Sequence, residues 1–233
     1  DKIVGSRVKY VISMSVDEEI RKQTAILCKE NGIQIVFMST VLPGSLSVTL
    51  DYRHAIIMAV DHLFSLGHKR IGFLCSPHNN FFANIERHEG YLDGLRKHAL
   101  PLYPELLDCS GTLVNPGIAM LSLPPGKRPT ALVAQTDRLA LGAMSAAQML
   151  GIRIPEELSI IGFGNSSFSE MTNPPLSGIA ENSFLQGALA VNLLLGNKND
   201  MAARVENGTY YIEPEMILRK STAPRKGKEL VKK

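Results

Sequence analysis

Short apolar, partly β-branched runs alternate along this chain with longer segments whose apolar residues recur every three or four positions. The first pattern suits strands buried on both faces, the second suits helices with one buried side. Read in order, strands are predicted over 8–13, 33–38, 47–50, 70–75, 106–109, 130–134, 159–163, 177–180, 209–212 and 216–218. Helices are predicted over 17–31, 54–66, 85–98, 116–123, 137–150 and 183–196, with Gly32, Gly67 and Gly151 placed where three of them stop. Alternation of this kind predicts an α/β fold of doubly wound parallel sheets.

The clearest unit is 129–167, PTALVAQTDRLALGAMSAAQMLGIRIPEELSIIGFGNSS. Leu139, Ala140, Ala143, Ala147 and Leu150 share one helix face between two apolar runs. Strand, helix, strand in that length is a right-handed crossover joining two parallel neighbours. Ligands of open parallel sheets collect at the carboxyl ends of strands. The turns Gln135-Thr136-Asp137 and Gly164-Asn165-Ser166 are therefore the first places to look for a site.

The segment TDRLALGAMSAAQMLGIRIPEELSIIGFGN (136–165) resembles the LacI/GalR family of bacterial transcription regulators, in its effector-sensing domain. GHKRIGFL (67–74), ERHEGYLDGLRKHAL (86–100), NPPL (173–176) and EPEMILRKSTAP (213–224) follow the same family pattern, in family order. The resemblance implies two doubly wound parallel-sheet lobes, like periplasmic binding proteins, joined by three crossing strands. It places 1–50 and 181–207 in a first lobe, 51–180 and 208–221 in a second, and 222–233 in a basic tail. It also implies a small-molecule effector, a sugar or sugar derivative, held between the lobes. A homodimer, a cytoplasmic location and operator DNA bound through a separate N-terminal headpiece belong to the same expectation. Relative to the family, the chain opens at the third strand of the first lobe. That predicts an incomplete first lobe, with apolar faces exposed over 8–12 and 33–38, and no specific operator binding by this chain alone.

Composition adds little to this. The chain is 45% hydrophobic and 20% charged, ordinary for a globular protein with a sizeable core, and no apolar run approaches a membrane span. Its net charge of +3 sits in the tail, where Arg225, Lys226, Lys228, Lys232 and Lys233 face only Glu229. The three cysteines are odd in number and far apart, so Cys75 reads as a buried thiol and a disulfide framework is not expected.

No nucleophile elbow, zinc-protease pair or P-loop appears, and the six histidines are scattered, so neither catalysis, cofactor nor metal is expected. Arg87 opens the helix after strand 70–75; its planar fork suits hydroxyls or a carboxylate, or it pairs with Glu86 or Glu89 on a solvated face. Family position favours the ligand for Arg87. Asp137 reads first as a helix N-cap, with Thr136 nearer the ligand. Asp51, Glu181 and Ser39 fall near expected crossings or strand ends, and Phe82 offers a ring face to a sugar. Gly164 stands where many sugar-responsive relatives have aspartate, with Asn165 as a partial substitute. If the 166–170 segment is helical, its N–H groups favour negative charge, making a phosphorylated sugar more plausible here beside a neutral one. Gly164 otherwise simply serves a turn with positive φ. A sugar-binding protein of a transport system and an enzyme on an α/β scaffold are the competing readings.

Overall fold

The computed structural model describes residues 2–76, 81–112, 114–197 and 200–225. Most of the basic tail, residues 226–233, and His78 lie outside them. The elements in chain order are α1 (Lys2–Gly5), β1 (Tyr10–Ser13), α2 (Glu18–Glu30), β2 (Gln34–Met38), β3 (Leu46–Leu50), α3 (Tyr52–Ser65) and β4 (Ile71–Leu74). They continue through α4 (Phe82–Lys97), β5 (Leu107–Asp108), α5 (Ile118–Leu121), β6 (Ala131–Ala134), α6 (Asp137–Met149) and β7 (Ser159–Gly164). The chain then forms β8 (Ser177–Ala180), α7 (Ser183–Leu194), β9 (Arg204–Glu206), β10 (Thr209–Ile212) and β11 (Glu215–Ile217). Only α1 and β9 have no counterpart in the sequence-based expectation. Both are very short, and β9 is exposed throughout, so neither carries a burial pattern.

The chain divides into two compact units, each around its own sheet. The first holds residues 1–51, 80–83 and 182–214 around strands in the order β1-β2-β3-β10-β9, all parallel except β9. Asp17 caps α2 by accepting from Ile20 N–H at 2.9 Å, and acidic residues fill the first turn where the helix dipole favours them. β1 is an edge: among the described residues no strand pairs with its outer side. Tyr10 and Ile12 stand 45% and 40% exposed there. The expected exposure over 33–38 is not found at its centre, because Val36 and Phe37 of β2 are fully buried between β1 and β3 under α7.

The second unit holds residues 52–79, 84–181 and 215–233 around the order β11-β8-β7-β6-β4-β5, with only β11 antiparallel. β4, β6 and β8 are buried at every position, which explains their uninterrupted apolar runs. Gly90 and Gly94 on α4 lie against α3; a Cβ on Gly90 would stand 2.5 Å from the Arg53 carbonyl, and one on Gly94 2.8 Å from the Val60 side chain. The two glycines thus set how near α3 and α4 approach. No helix among the described residues is long and apolar enough to cross a membrane.

One expected boundary moves. The 208–221 segment does not belong wholly to the second unit, since β10 pairs in parallel with β3 of the first sheet while β11 joins β8 of the second. The last passage between units therefore falls at Pro214, where the chain leaves one ladder and enters the other. Cysteine usage is also corrected. Cys75 is not a thiol but is disulfide-bonded to Cys109, because the neighbouring strands β4 and β5 end side by side.

His68 closes the base of the second unit and gives it a pH dependence. Its Nε2 faces the Ala223 carbonyl at 3.1 Å, so that nitrogen carries the proton, and Nδ1 accepts from Thr130 Oγ1 at 2.9 Å. Burial lowers its pKa below 6.5, only partly offset by the Ala223 hydrogen bond. The unfolded chain therefore binds a proton that the folded one resists, and stability present above pH 6.5 is lost as pH falls toward the folded value. His62, also depressed by burial, adds a slope of the same sign. His68→Gln is expected to flatten the fall in urea midpoint below pH 6.5; an unchanged slope would assign it to other groups.

Candidate functional site

The carboxyl ends of β4, β6, β7 and β8 carry most of the residues singled out in the sequence. Arg87, one turn into α4, is only 7% exposed. Its guanidinium carbon lies 4.5 Å from the ring centroid of Tyr52 and 4.1 Å from that of Phe163. The two centroids are 6.0 Å apart, so the rings flank the guanidinium on adjacent sides. Nη2 donates to Glu181 Oε1 at 2.9 Å, and Nε is buried with no acceptor among the described residues. Burial pulls the Arg87 pKa down, opposed by Tyr52 and Glu181. Its ion-pair partner is Glu181, 94 residues away. The alternative of an arginine on a solvated face is thereby corrected: Arg87 is buried against two rings, which gives it a structural role whatever else it binds.

Asp137 is corrected as well. Thr136, not Asp137, is the N-cap of α6, accepting from Leu139 N–H at 3.3 Å. Asp137 is 3% exposed and turns inward. Its Oδ2 accepts from Ser166 N–H at 2.7 Å, Ser166 Oγ at 2.6 Å and Ser169 Oγ at 2.9 Å. Room for the carboxylate comes from glycines. A Cβ on Gly162 would stand 2.5 Å from Oδ1, and one on Gly178 would stand 3.2 Å from the Gly162 carbonyl. Gly162-Phe163-Gly164 therefore makes space for an acid.

Gly164 has φ +128°, a conformation other residues rarely adopt, and its absent Cβ would meet Asp137 Oδ2 at 3.3 Å. A turn needing glycine is thus the reason for this residue, and an aspartate there would be strained and set against a like charge. The segment after it is a single 3-10 turn, Ser167–Glu170, and the Ser166 N–H before it is already taken by Asp137. The expected preference for a phosphate at this turn loses that support. Asn165, in the left-handed region, accepts through Oδ1 from Arg219 Nη2 at 2.8 Å.

A second layer was not legible from motifs. Gln135 is almost wholly buried; its Oε1 accepts from Ser76 N–H at 2.5 Å and its Nε2 donates to Asn84 Oδ1 at 2.7 Å. It ties the end of β4 and the first turn of α4 to the end of β6. Tyr52, Phe163 and Arg219 also escaped notice as site residues. The signal available for the first two was a lone aromatic at each strand or helix end, which is common in cores.

The remaining candidates lie in the first unit and are described there alone. Asp51 pairs with Arg204 Nη2 at 2.9 Å, and Arg204 lies 4.0 Å over the Tyr211 ring. Ser39, with φ +62°, is 3.3 Å from Gln186 Oε1, to which it donates. Phe82 opens α4 but groups with the first unit, apart from Arg87 on the same helix. Among the described residues no cluster of three or more His, Cys, Asp or Glu could hold a metal.

Residues 60–222 match the family model of the periplasmic binding protein-like domain. The chain is 30% identical over 224 residues to the HTH-type transcriptional repressor CytR of Escherichia coli strain K12, covering 94% of this chain and 61% of that protein. It thus spans under two thirds of the relative's length. A solved regulatory protein of the LacI family from Chloroflexus aggregans superposes with a TM-score of 0.79 at 25% identity, over 95% of this chain and 79% of that one. A LacI family transcriptional regulator from Enterococcus faecium with bound ribose does so with a TM-score of 0.78 at 26% identity, over 97% and 84%. With two parallel-dominated sheets and the motif order of its second unit, the chain belongs to the periplasmic binding protein-like domain family, in the form carried by LacI-type regulators.

Proposed function

We propose that this chain is the effector-binding part of a transcription regulator, and that a small molecule of the sugar class binds at the carboxyl end of the second sheet. The observation that carries the reading is Arg87: a guanidinium fixed in orientation by two rings, with one buried N–H lacking an acceptor beside Glu181. A pair of adjacent hydroxyls fits that arrangement, accepting from Arg87 and donating to Glu181. The bound ribose of the Enterococcus faecium regulator supports the ligand class. Binding would shift the balance between conformations of a longer cytoplasmic, dimeric protein and so alter operator binding by a headpiece outside this sequence. Nothing in the geometry favours the transport or enzyme reading.

Calorimetric titration with ribose, maltose, ribonucleosides and sugar phosphates tests this. One neutral sugar is expected to bind, and Arg87→Lys to weaken it by roughly tenfold or more, since lysine cannot reproduce the planar fork. Equal affinity of the folded variant and the parent would remove Arg87 from the site, and a chain that binds none of the panel would overturn the ligand class.

A further inference from the structure

β4 and β5 end side by side at the same end of the second sheet, and a cysteine follows each. Leu74 stands opposite Asp108 in parallel register, and the next N–H, that of Cys75, donates to the Asp108 carbonyl at 2.8 Å. The Cα atoms of Cys75 and Cys109 lie 4.3 Å apart. Neighbouring strands of any sheet run about 4.8 Å apart, so the backbone ladder brings these residues together whether or not their sulfurs are joined. We propose that Cys75 and Cys109 form a reversible redox site, oxidised by a small peroxide and reduced by a dithiol, whose state is transmitted to the first turns of α4. It does not depend on the ligand reading.

Three observations support reversibility. Cys109 is half-buried, so a small oxidant or reductant reaches it, whereas Cys75 is 2% exposed. The loop after Cys109 has its own anchor: the Asp108 carboxylate accepts from Ser110 N–H at 3.0 Å and Gly117 N–H at 2.8 Å. Burial opposes the Asp108 charge, yet those bonds outweigh it and hold the carboxyl below its ordinary value. Reduction therefore leaves the two thiols facing each other. The third cysteine, Cys28, is fully buried, with its thiol pushed up by burial, and stays out of exchange.

The chemistry balances with peroxide as oxidant. The Cys109 thiolate attacks one peroxide oxygen; the S–O bond forms, the O–O bond breaks, and hydroxide leaves. The Cys75 sulfur then displaces hydroxide from the sulfenic Cys109, and the departing oxygen takes up the thiol proton as water. Two thiols and one peroxide give a disulfide and two waters. A dithiol returns two electrons and two protons by thiol–disulfide exchange. Transmission follows from the neighbours. Ser76, next to Cys75, donates to Gln135, which donates to Asn84 in the first turn of α4, one turn before Arg87.

Alkylation and hydrogen exchange on the whole chain test the site. After brief peroxide, native alkylation is expected to lose Cys109, and alkylation after unfolding to find only Cys28. After dithiothreitol under native conditions, all three cysteines should become alkylated on unfolding. Amides over 82–88 are expected to exchange roughly five times faster in the reduced state, while α6 does not change. Cys109→Ser should show the reduced pattern in either buffer. A bond that resists dithiothreitol until the chain unfolds, thiols that survive peroxide, exchange over 82–88 that ignores redox state, or a Cys109→Ser protein that still responds to peroxide would each overturn the proposal.

Discussion

Asp137→Ala is expected to lower the unfolding free energy of the second unit by about 4 kcal/mol, the largest single-site loss outside the apolar core. Removing the carboxylate deprives the Ser166 N–H and the hydroxyls of Ser166 and Ser169 of their shared acceptor at once. Each charge-assisted bond contributes about 1.5–3 kcal/mol, but the three are not additive, because a relaxed turn can recover part of the loss. The glycines that accommodate the acid make matters worse, since they leave a space beside β7 and β8 that alanine cannot fill. Asp137→Asn keeps the shape and one oxygen, and should cost about half as much. Urea unfolding followed by circular dichroism reads both. Asp137→Ala within about 1 kcal/mol of the parent would mean that the serine turn finds other partners easily.

Arg87→Ala should cost about 3 kcal/mol, combining the loss of contact with the Tyr52 and Phe163 rings with the stranding of Glu181. The figure lies at the lower edge of the range for a broken buried pair because the Glu181 side chain is 35% exposed and water can take over part of its solvation. Glu181→Gln should therefore cost less than Arg87→Ala, about 1 kcal/mol. Arg87→Lys lies between, keeping the charge but not the planar contact with the rings. The same unfolding experiment ranks the three. If Glu181→Gln proves the most damaging, the ion pair rather than the aromatic contacts holds this arginine.

Helix ends and buried strands are legible in the sequence for local reasons. Helix ends depend on residues within one turn, so Gly32, Gly67 and Gly151, all at positive φ, marked them without knowledge of the fold. The buried parallel strands announce themselves because both faces need apolar side chains, as in Ala131–Ala134. The two strand-end turns of the 129–167 unit did turn out to carry Thr136, Asp137, Gly164 and Asn165 close together. Their roles were less legible. A capping oxygen was expected at Asp137 and is found at Thr136, since one residue of helix phase decides whether a carboxylate faces the backbone of its own helix or the next strand's turn.

The sequence by itself determined the alternation of strands and helices, which rests on spacings shorter than a helix, and the family, which rests on motifs and their order along the chain. Only the tertiary structure decided the partners. Arg87 meets Glu181, Cys75 meets Cys109 and β10 meets β3 because of sheet order, which brings together residues separated by 94, 34 and about 160 positions. Charge and apolar pattern say that such residues need a partner. They do not say which one, since many acids satisfy an arginine and many strand edges satisfy a strand; the choice is made by whichever arrangement buries the most apolar surface while pairing the backbone.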